Sequence, residues 1–409
     1  MRVLAIDIGT GTQDILLYDT KKEVENSLIM VMPSPTVIIA DRIRSATDEG
    51  RDIVLTGGIM GGGPCVRAIK EHIGKGFLVY STKNAALTIN DNLEMVRSMG
   101  VMLIDEQDMS SLPDDVLKIE LQDIDTSAIF GALSQFGVNV GSGLDLHLDL
   151  HLDLHLDLDA DEQIRFAVAL QDHGDSPDES NRIGRFRHFE EQIKKGGDLD
   201  FFTYHGGDIP PYLTRIKSAF DTLDGGYFVG SGFGNGNGNG GADKESVMFM
   251  DTGPAAIFGA LLDAAAEQPS IVVNVGNGHT LGALVIDGRV RALFEHHTSS
   301  MGFEKLQDHI IRLADGTLTF DEVFNDGGHG CYIGDTLDFD AIRSVMVTGP
   351  KRDVLQNGAE SLKNTELWAK LHFAAPFGNM MLSGCFGLLS AFLKNDESFT
   401  DKTYKPIGN

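Results

Sequence analysis

Two short stretches carry the residue types that grip phosphate. Gly9-Thr10-Gly11-Thr12 and Gly276-Asn277-Gly278-His279-Thr280 each follow an apolar run, VLAIDI (3–8) and IVVNV (271–275), and each precedes another. Glycines in a strand–turn–strand hairpin let consecutive backbone N–H groups point into one concavity, which receives anions such as phosphate. The hydroxyls of Thr10, Thr12 and Thr280 add donors, and Asp7 at the strand end offers the hard oxygens that hydrated Mg²⁺ prefers. Asn274 stands just before the second turn, and Asp251, which opens DTGP, is a second carboxylate candidate for the metal. A Thr-Gly turn before a helix, as at Thr348-Gly349, presents bare backbone on which an adenine ring can lie. One Gly/Thr hairpin alone is an ordinary turn. Two of them, each followed later by an apolar run ending in Thr-Gly (IVLTGG at 53–58, VMVTGP at 345–350), read as one plan used twice.

Other residues could add chemistry. Asp172 closes the apolar run IRFAVALQ (164–171) just before Gly174, where a carboxylate can act as a base on a hydroxyl or water, and Gln171 can orient that water. An Asp that merely caps a loop fits the same letters. His173, His279, His296, His297 and His329 sit in Gly-flanked or strand-end positions, and with Asp172 and Glu295 they could form a metal or acid–base site. Adjacent His residues on a strand point to opposite faces, so the letters do not say which of them converge. Arg182, Arg185 and Arg187 read as the solvated face of one helix, with anion binding as the alternative. Trp368 and the Met and Phe residues of HFAAPFGNMMLSGCFGLLSAFL (372–393) read as core.

The elements that would position these residues follow from periodicity. Runs 3–8 and 15–18 form strands around the first turn; Val37, Ile38, Ala40 and Ile43 have helical spacing, with Gly50 as a stop. Strands at 53–58 and 77–81 alternate with helices at 64–72 and 90–99, which argues for an α/β unit with a largely parallel core. After 243 the same grammar resumes with VMFM (247–250), a small-residue helix at 255–266 and IVVNV. Two low-complexity tracts interrupt it. LDLHLDLHLDLHLDLD (144–159) alternates with period two and reads as an accessory strand, and GFGNGNGNGG (232–241) reads as a flexible linker. The expected organisation is a first lobe at 1–231, a linker at 232–242 and a second lobe at 243–409.

The 409 residues allow two or three domains at roughly 150 residues each. A 42% hydrophobic, 23% charged composition is ordinary for a folded protein. The net charge of -27, from 60 acids against 33 basic residues, opposes binding to nucleic acid or anionic membranes, since both are polyanions. No apolar run reaches the roughly 18–20 residues that span a bilayer. MRVLAIDIGTG reads as a strand rather than a signal peptide, and three isolated cysteines form no disulfide framework, so a reduced, cytoplasmic setting is expected. There is no P-loop, no GxSxG and no HExxH.

The paired hairpins resemble those of the actin, sugar-kinase and Hsp70-type ATPase superfamily, whose two lobes each carry one. The resemblance rests on four short motifs. It implies an α/β fold with a duplicated, two-lobed actin/sugar-kinase-like (ribonuclease H-like) architecture, here with two low-complexity insertions, and it implies ATP and Mg²⁺ as cofactors. The second hairpin departs in having Asn274 where that superfamily usually has Asp, which counts against a metal ligand from that lobe. A more specific likeness lies in DTGPAAIFGALLD, VNVGNGHTLGALV, FEHHT, ADGTLTFDEVF, DGGHGCY and VTGPKR between 251 and 352, joined by QDHG (171–174) and SNRIGRFRHF (180–189). These resemble a prokaryotic family of unknown function often labelled "putative pyruvate formate-lyase activating enzyme". A glycyl-radical activase needs three cysteines in a CxxxCxxC run to hold its iron–sulfur cluster. Cys65, Cys331 and Cys385 are 266 and 54 residues apart, so no Fe–S cluster and no radical chemistry is expected. The expectation is a Mg-ATP-dependent ATPase or phosphotransferase acting on a small-molecule or nucleotide ligand. A metal-dependent enzyme built on the loop histidines, and a non-enzymatic regulatory module of the same fold, remain as alternatives.

Overall fold

The first apolar runs become β1 (Arg2–Ile8) and β2 (Thr12–Asp19), and the Gly9 N–H closes the turn onto the Thr12 carbonyl at 2.9 Å. β3 (Leu28–Pro33) extends this meander. A computed structural model describes residues 1–138, 164–176, 179–224, 246–358 and 365–394. The Leu-Asp-Leu-His tract at 144–159 and the expected linker at 232–242 lie outside the described residues.

After β3 the chain builds a separate small sheet from β4 (Ile53–Gly57), β5 (Val79–Thr82), β6 (Val101–Ile104) and β7 (Leu117–Leu121). Its order is β6-β5-β4-β7 and every pair is parallel, with the helices Pro35–Asp48 and Pro64–Gly74 supplying its core residues Ile39, Ile43, Cys65 and Ile69. The chain then returns to the first sheet with β8 (Ile164–Leu170), β9 (Thr203–His205) and β10 (Val247–Met250). The second sheet takes β11 (Ser270–Val275), β12 (His279–Ile286), β13 (Arg289–His297), β14 (Gly330–Ile333), β15 (Ser344–Thr348) and β16 (Leu371–Phe373).

The two six-stranded sheets share one plan. The first runs β3-β2-β1-β8-β10-β9 and the second β14-β13-β12-β11-β15-β16. In each, a three-strand antiparallel meander is followed by two parallel strands laid beside the first strand of the meander. This is the duplicated two-lobed α/β architecture that the hairpins implied.

One boundary and one correspondence differ from the sequence reading. β10 pairs in parallel with β8, so the first sheet takes in residues beyond the expected lobe boundary at 243. The apolar run at 53–58 is not the counterpart of 345–350: β4 belongs to the small inserted sheet, and β8 holds the place beside β1 that β15 holds beside β11. The letters agree because the local constraint agrees. Gly57 (φ 89°) and Gly349 (φ 94°) each turn the chain in the left-handed region. A Cβ there would stand 2.5 Å from the Leu121 carbonyl oxygen or 2.4 Å from that of Val275, so only glycine fits. The echo of DTSAIFGAL in DTGPAAIFGALL likewise marks two Asp-capped helices, Asp125 accepting from Ala128 N–H and Asp251 from Gly253 N–H.

Both large sheets are covered on both faces, which is why their central strands read as unbroken apolar runs. Leu4, Ile6, Phe166 and Val168 face one outer core, and Ile271, Val273, Val345 and Val347 face the other. The inner faces (Val3, Ala5, Ala167, Val272, Ala283, Met346) share a central core with two helices, Thr252–Ala260 and Ser383–Phe392. These helices touch backbone to backbone: a Cβ on Gly259 would lie 1.7 Å from the Ser383 carbonyl oxygen, and one on Gly387 1.9 Å from that of Ala255. Among the described residues no helix is long and apolar enough to cross a membrane.

Candidate functional site

A cleft of about 580 Å³ opens where the two hairpin turns meet. Gly9, Thr10 and Thr12 of the first turn and Asn274, Gly276, Asn277 and Gly278 of the second line it. The turns touch: a Cβ on Gly11 would stand 2.6 Å from Asn277 Nδ2, and one on Gly278 3.2 Å from Thr10 Oγ1. Ser34, at the start of the helix Pro35–Asp48, ties back the first turn. Its Oγ donates to the Thr10 carbonyl (2.9 Å) and its N–H to the Gly11 carbonyl (3.1 Å). Across a trans peptide the next N–H points the opposite way, so the Gly11 and Thr12 N–H groups face away from Ser34. Gly11 itself does not line the cleft but packs against the opposite turn. Thr280 lies fully buried with its hydroxyl on Thr298 Oγ1 (3.1 Å) and does not line the cleft either. Thr348 is also buried, its hydroxyl on Ser383 Oγ (2.9 Å), yet with Gly349 it forms part of the wall.

The turn geometry dictates a carboxylate pair. The β1–β2 register sets Asp7 opposite Asp14, and directly opposed residues of an antiparallel pair share a face. Each has a buried Oδ1 with no partner, and both line the cleft. Burial, then the neighbouring Asp14 and Asp251, raises the Asp7 carboxyl well above its usual 3.8, and burial pushes Asp14 up to about 6. Two carboxyls without a counter-charge suit a hard divalent cation. Asp251 is placed differently. Its Oδ2 accepts from Arg185 Nη1 (2.6 Å), and its Oδ1 accepts from Arg185 Nη2 (3.1 Å) and Gly253 N–H (3.0 Å). With both oxygens engaged it is an ion-pair and capping residue, and the carboxyl opposite Asp7 is that of Asp14.

Arg185 overturns the solvated-face reading of its helix, Asn181–Lys195. It is 4% exposed and also donates from Nε and Nη2 to Glu295 of β13 (2.9 and 2.8 Å) and from Nη1 to the Asp172 carbonyl (2.9 Å). One guanidinium therefore joins Asp251 of the first sheet's chain to Glu295 of the second sheet. Against the upward push of burial, Arg185 holds the Glu295 carboxyl well below the usual range. Arg187 is an exposed partner of Glu179, and Arg182 Nη1 reaches the Gly328 carbonyl (2.7 Å).

Asp172 lines the cleft but is fully committed. Its Oδ1 accepts from Gly174 N–H (2.8 Å), and its Oδ2 accepts from Arg215 and Ile216 N–H (both 2.9 Å) at the start of the helix Thr214–Leu223. It caps the loop and the helix start, its two oxygens held by three backbone N–H groups. Gln171 Nε2 reaches Glu295 Oε1 (3.4 Å), and its carbonyl accepts from Arg215 Nη1 (2.6 Å). Arg215 also grips Asp123 through Nε and Nη2 (2.7 and 2.8 Å), a bidentate pair beside the Gly61–Gly63 loop.

Three of the loop histidines converge. The ligand nitrogens of His173, His279 and His329 all lie within 4.8 Å of one another. His279 and His297 are cross-strand partners in the β12–β13 register, with ring centroids 4.8 Å apart. Both ring nitrogens of His279 and of His329 are buried without a hydrogen-bond partner. Burial holds all three imidazoles neutral: His279 falls to about 4, His329 to about 3 and His173 well below its usual value, with Arg185 pushing each the same way. His296 faces away and pairs with Asp326 (3.0 Å).

The sequence reading missed Asp14 and the Asp123–Arg215 pair, and it placed Arg185 on a solvated face where the structure buries it. Asp14 was accessible from the hairpin register once the turn was fixed. Arg185 carried a fainter signal: it precedes Phe189 and Gln192 by four and seven positions, all on the buried stripe of the helix. The three cysteines are all buried, and each lies in a different core, Cys65 in the inserted sheet, Cys331 in the second lobe and Cys385 in the centre. They do not converge on an iron–sulfur cluster.

Comparison with curated proteins gives no match. Among solved structures the chain is similar to the ethanolamine utilization protein EutJ from Carboxydothermus hydrogenoformans, at 9% identity and a TM-score of 0.27, covering 96% of this chain and 90% of that one. It is also similar to the Lmo2764 protein from Listeria monocytogenes, whose description is "a putative N-acetylmannosamine kinase", at 9% identity and a TM-score of 0.34, covering 97% and 100%. An exopolyphosphatase-like protein follows at 10% identity and a TM-score of 0.22, covering 98% and 91%. The fold assignment rests on strand order and register rather than on these distant likenesses. At the level of sequence a family model matches residues 60–148 and 145–354, more than half of the chain, and this makes the chain a member of the family described as "Putative pyruvate format-lyase activating enzyme (DUF1786)".

Proposed function

We infer that the chain binds a magnesium–nucleotide, ATP foremost, in the cleft between its lobes and acts as an ATPase or phosphotransferase. One observation carries this reading: two Gly-rich hairpin turns, one from each copy of the fold, touch beside a pair of carboxyls whose buried oxygens lack partners. Asp7 and Asp14 fit Mg²⁺, which takes one or two protein carboxylates and fills its remaining positions with water and phosphate oxygens. Bound there, the ion would neutralise charge on the transferring phosphoryl group. The chain's own part is to orient: backbone N–H groups of the turns receive phosphate oxygens, the Thr10 and Thr12 hydroxyls add donors, and Asn277 faces the opposite turn. The Thr348-Gly349 backbone offers a wall for the base. The substrate that would accept the phosphoryl group has no assigned contact, and hydrolysis is the simplest reaction of the same site.

A thermal-shift series with ATP, ADP and AMP, with Mg²⁺ or with a chelator, tests this. Mg-ATP should raise the melting temperature and the chelator should abolish most of that rise. Asp7→Asn should remove the Mg²⁺-dependent part while leaving the unliganded protein folded. A melting temperature indifferent to every nucleotide would overturn the reading.

A further inference from the structure

The nucleotide grip inferred above does not call on the histidine trio, yet the trio has the marks of a built site. His173 follows β8 of the first lobe, His279 opens β12 and His329 immediately precedes β14 of the second, so three separate segments deliver one imidazole each, one from the first lobe and two from the second. Ring centroids are 5.6 Å apart for His173–His279 and His173–His329, and 4.9 Å for His279–His329. His329 is fully buried with neither ring nitrogen hydrogen-bonded, and the same holds for the nitrogens of His279. A buried polar group without a partner forfeits its hydration, so leaving four such nitrogens on two adjoining rings is costly unless something binds them. The surroundings are complementary to a cation. Glu295 Oε2 lies 3.8 Å from His329 Nδ1, and the Asp251–Arg185–Glu295 triad contributes one net negative charge.

We propose that His173, His279 and His329 hold one divalent first-row transition ion, zinc foremost, at the junction of the lobes, with one coordination position open to the cleft. Neutral imidazoles are the ligands that zinc and its neighbours in the series prefer over magnesium. Three protein ligands with an open fourth position is the catalytic rather than the structural pattern. A tetrahedral ion with Zn–N bonds of about 2.0–2.1 Å sets its nitrogens roughly 3.3 Å apart, so small ring rotations close the trio onto it. Glu295 stands where an outer-sphere carboxylate orients a ligating His. His173 and His279 line the cleft, and the open position would therefore meet an oxygen of whatever occupies it. The ion would also pin the first lobe to the second. This site is independent of Asp7 and Asp14, and it uses different donor chemistry.

The test is metal content of the untagged full chain after loading with Zn²⁺ or Co²⁺ and desalting. The Asp/His tract at 145–159 can take up ions as well, so the readout is the difference between the wild type and variants of the trio. Wild type should hold one more equivalent than His279→Ala or His329→Gln, and only wild type should show the intense visible bands of four-coordinate Co²⁺. Should a variant of the trio not fold, competition with a chromophoric chelator is run on wild type and on a full chain carrying His147→Ala, His151→Ala and His155→Ala: one tight Zn²⁺ equivalent kept in both supports the site, and none, or its loss in the tract variant, overturns it. Equal metal content in wild type and folded variants also overturns it. Loss of the ion in His297→Ala alone would replace the open position by a fourth imidazole and contradict that part of the proposal. Asp7→Asn should retain the ion, so this result stands or falls apart from nucleotide binding.

Discussion

At the scale of single residues, unpaired and over-paired charges sit side by side. Asp7 and Asp14 face each other with a buried Oδ1 apiece that accepts no hydrogen bond, whereas Arg185 satisfies two acids and a carbonyl. The Asp14 carboxyl keeps its proton to about pH 6 in the folded protein, against an ordinary value of 3.8. A carboxyl raised in this way contributes stability that is full below the unfolded value and lost as pH rises through the folded one. The ion-free wild type should therefore lose up to about 3 kcal/mol between roughly pH 4 and pH 7 from this group. Chemical denaturation of wild type and Asp14→Asn across that range should show this loss as a difference that grows with pH. A difference independent of pH would contradict the assignment. Arg185→Ala leaves Asp251 and Glu295 buried without their counter-charge, and should cost about 3–5 kcal/mol in urea unfolding. A loss below about 1 kcal/mol would mean that water takes over the guanidinium's role.

At the scale of elements, the two central helices decide how the lobes meet. Gly259 and Gly387 allow Thr252–Ala260 and Ser383–Phe392 to cross in backbone contact, and Gly384 lets the second helix lie on Asp7, since a Cβ there would stand 1.9 Å from Asp7 Oδ2. Gly259→Ala has only backbone to push against, so it should destabilise by about 1–3 kcal/mol or more, read as a lowered urea midpoint. Gly384→Ala should in addition displace Asp7 and weaken Mg²⁺-dependent stabilisation. An alanine at 259 that leaves the midpoint unchanged would place the helices farther apart than described. This scale also separates what the sequence shows from what it hides. Long hydrophobic strands such as β1, β8 and β11 declare themselves because burial on both faces demands apolar runs. The hairpin turns declare themselves through glycine. Short or edge strands such as β9 and β14 have too few residues for a period, and the resemblance between residues 53–58 and 345–350 reflects a shared local turn rather than a shared place in the fold. Asp172 shows the same limit at the site, because a capping Asp and a basic Asp occupy identical letters until the partners of each oxygen are known.

At the scale of the whole molecule, a duplicated sheet plan brings two turns, a carboxyl pair, His173 and His279 to one cleft, although the turns lie more than 260 residues apart in the chain. The net charge of -27 acts over the same scale. Self-repulsion among surface acids is screened by added salt, so the melting temperature should rise from low to about molar KCl. A steady fall over that range would show that specific ion pairs outweigh the net charge. Isothermal calorimetry of Mg-ATP into the full chain measures most directly whether the cleft is a magnesium–nucleotide site. One saturable site per chain, lost on chelation and lost in Asp7→Asn, is the predicted result. Absence of binding, or binding that is indifferent both to the chelator and to that substitution, would contradict it.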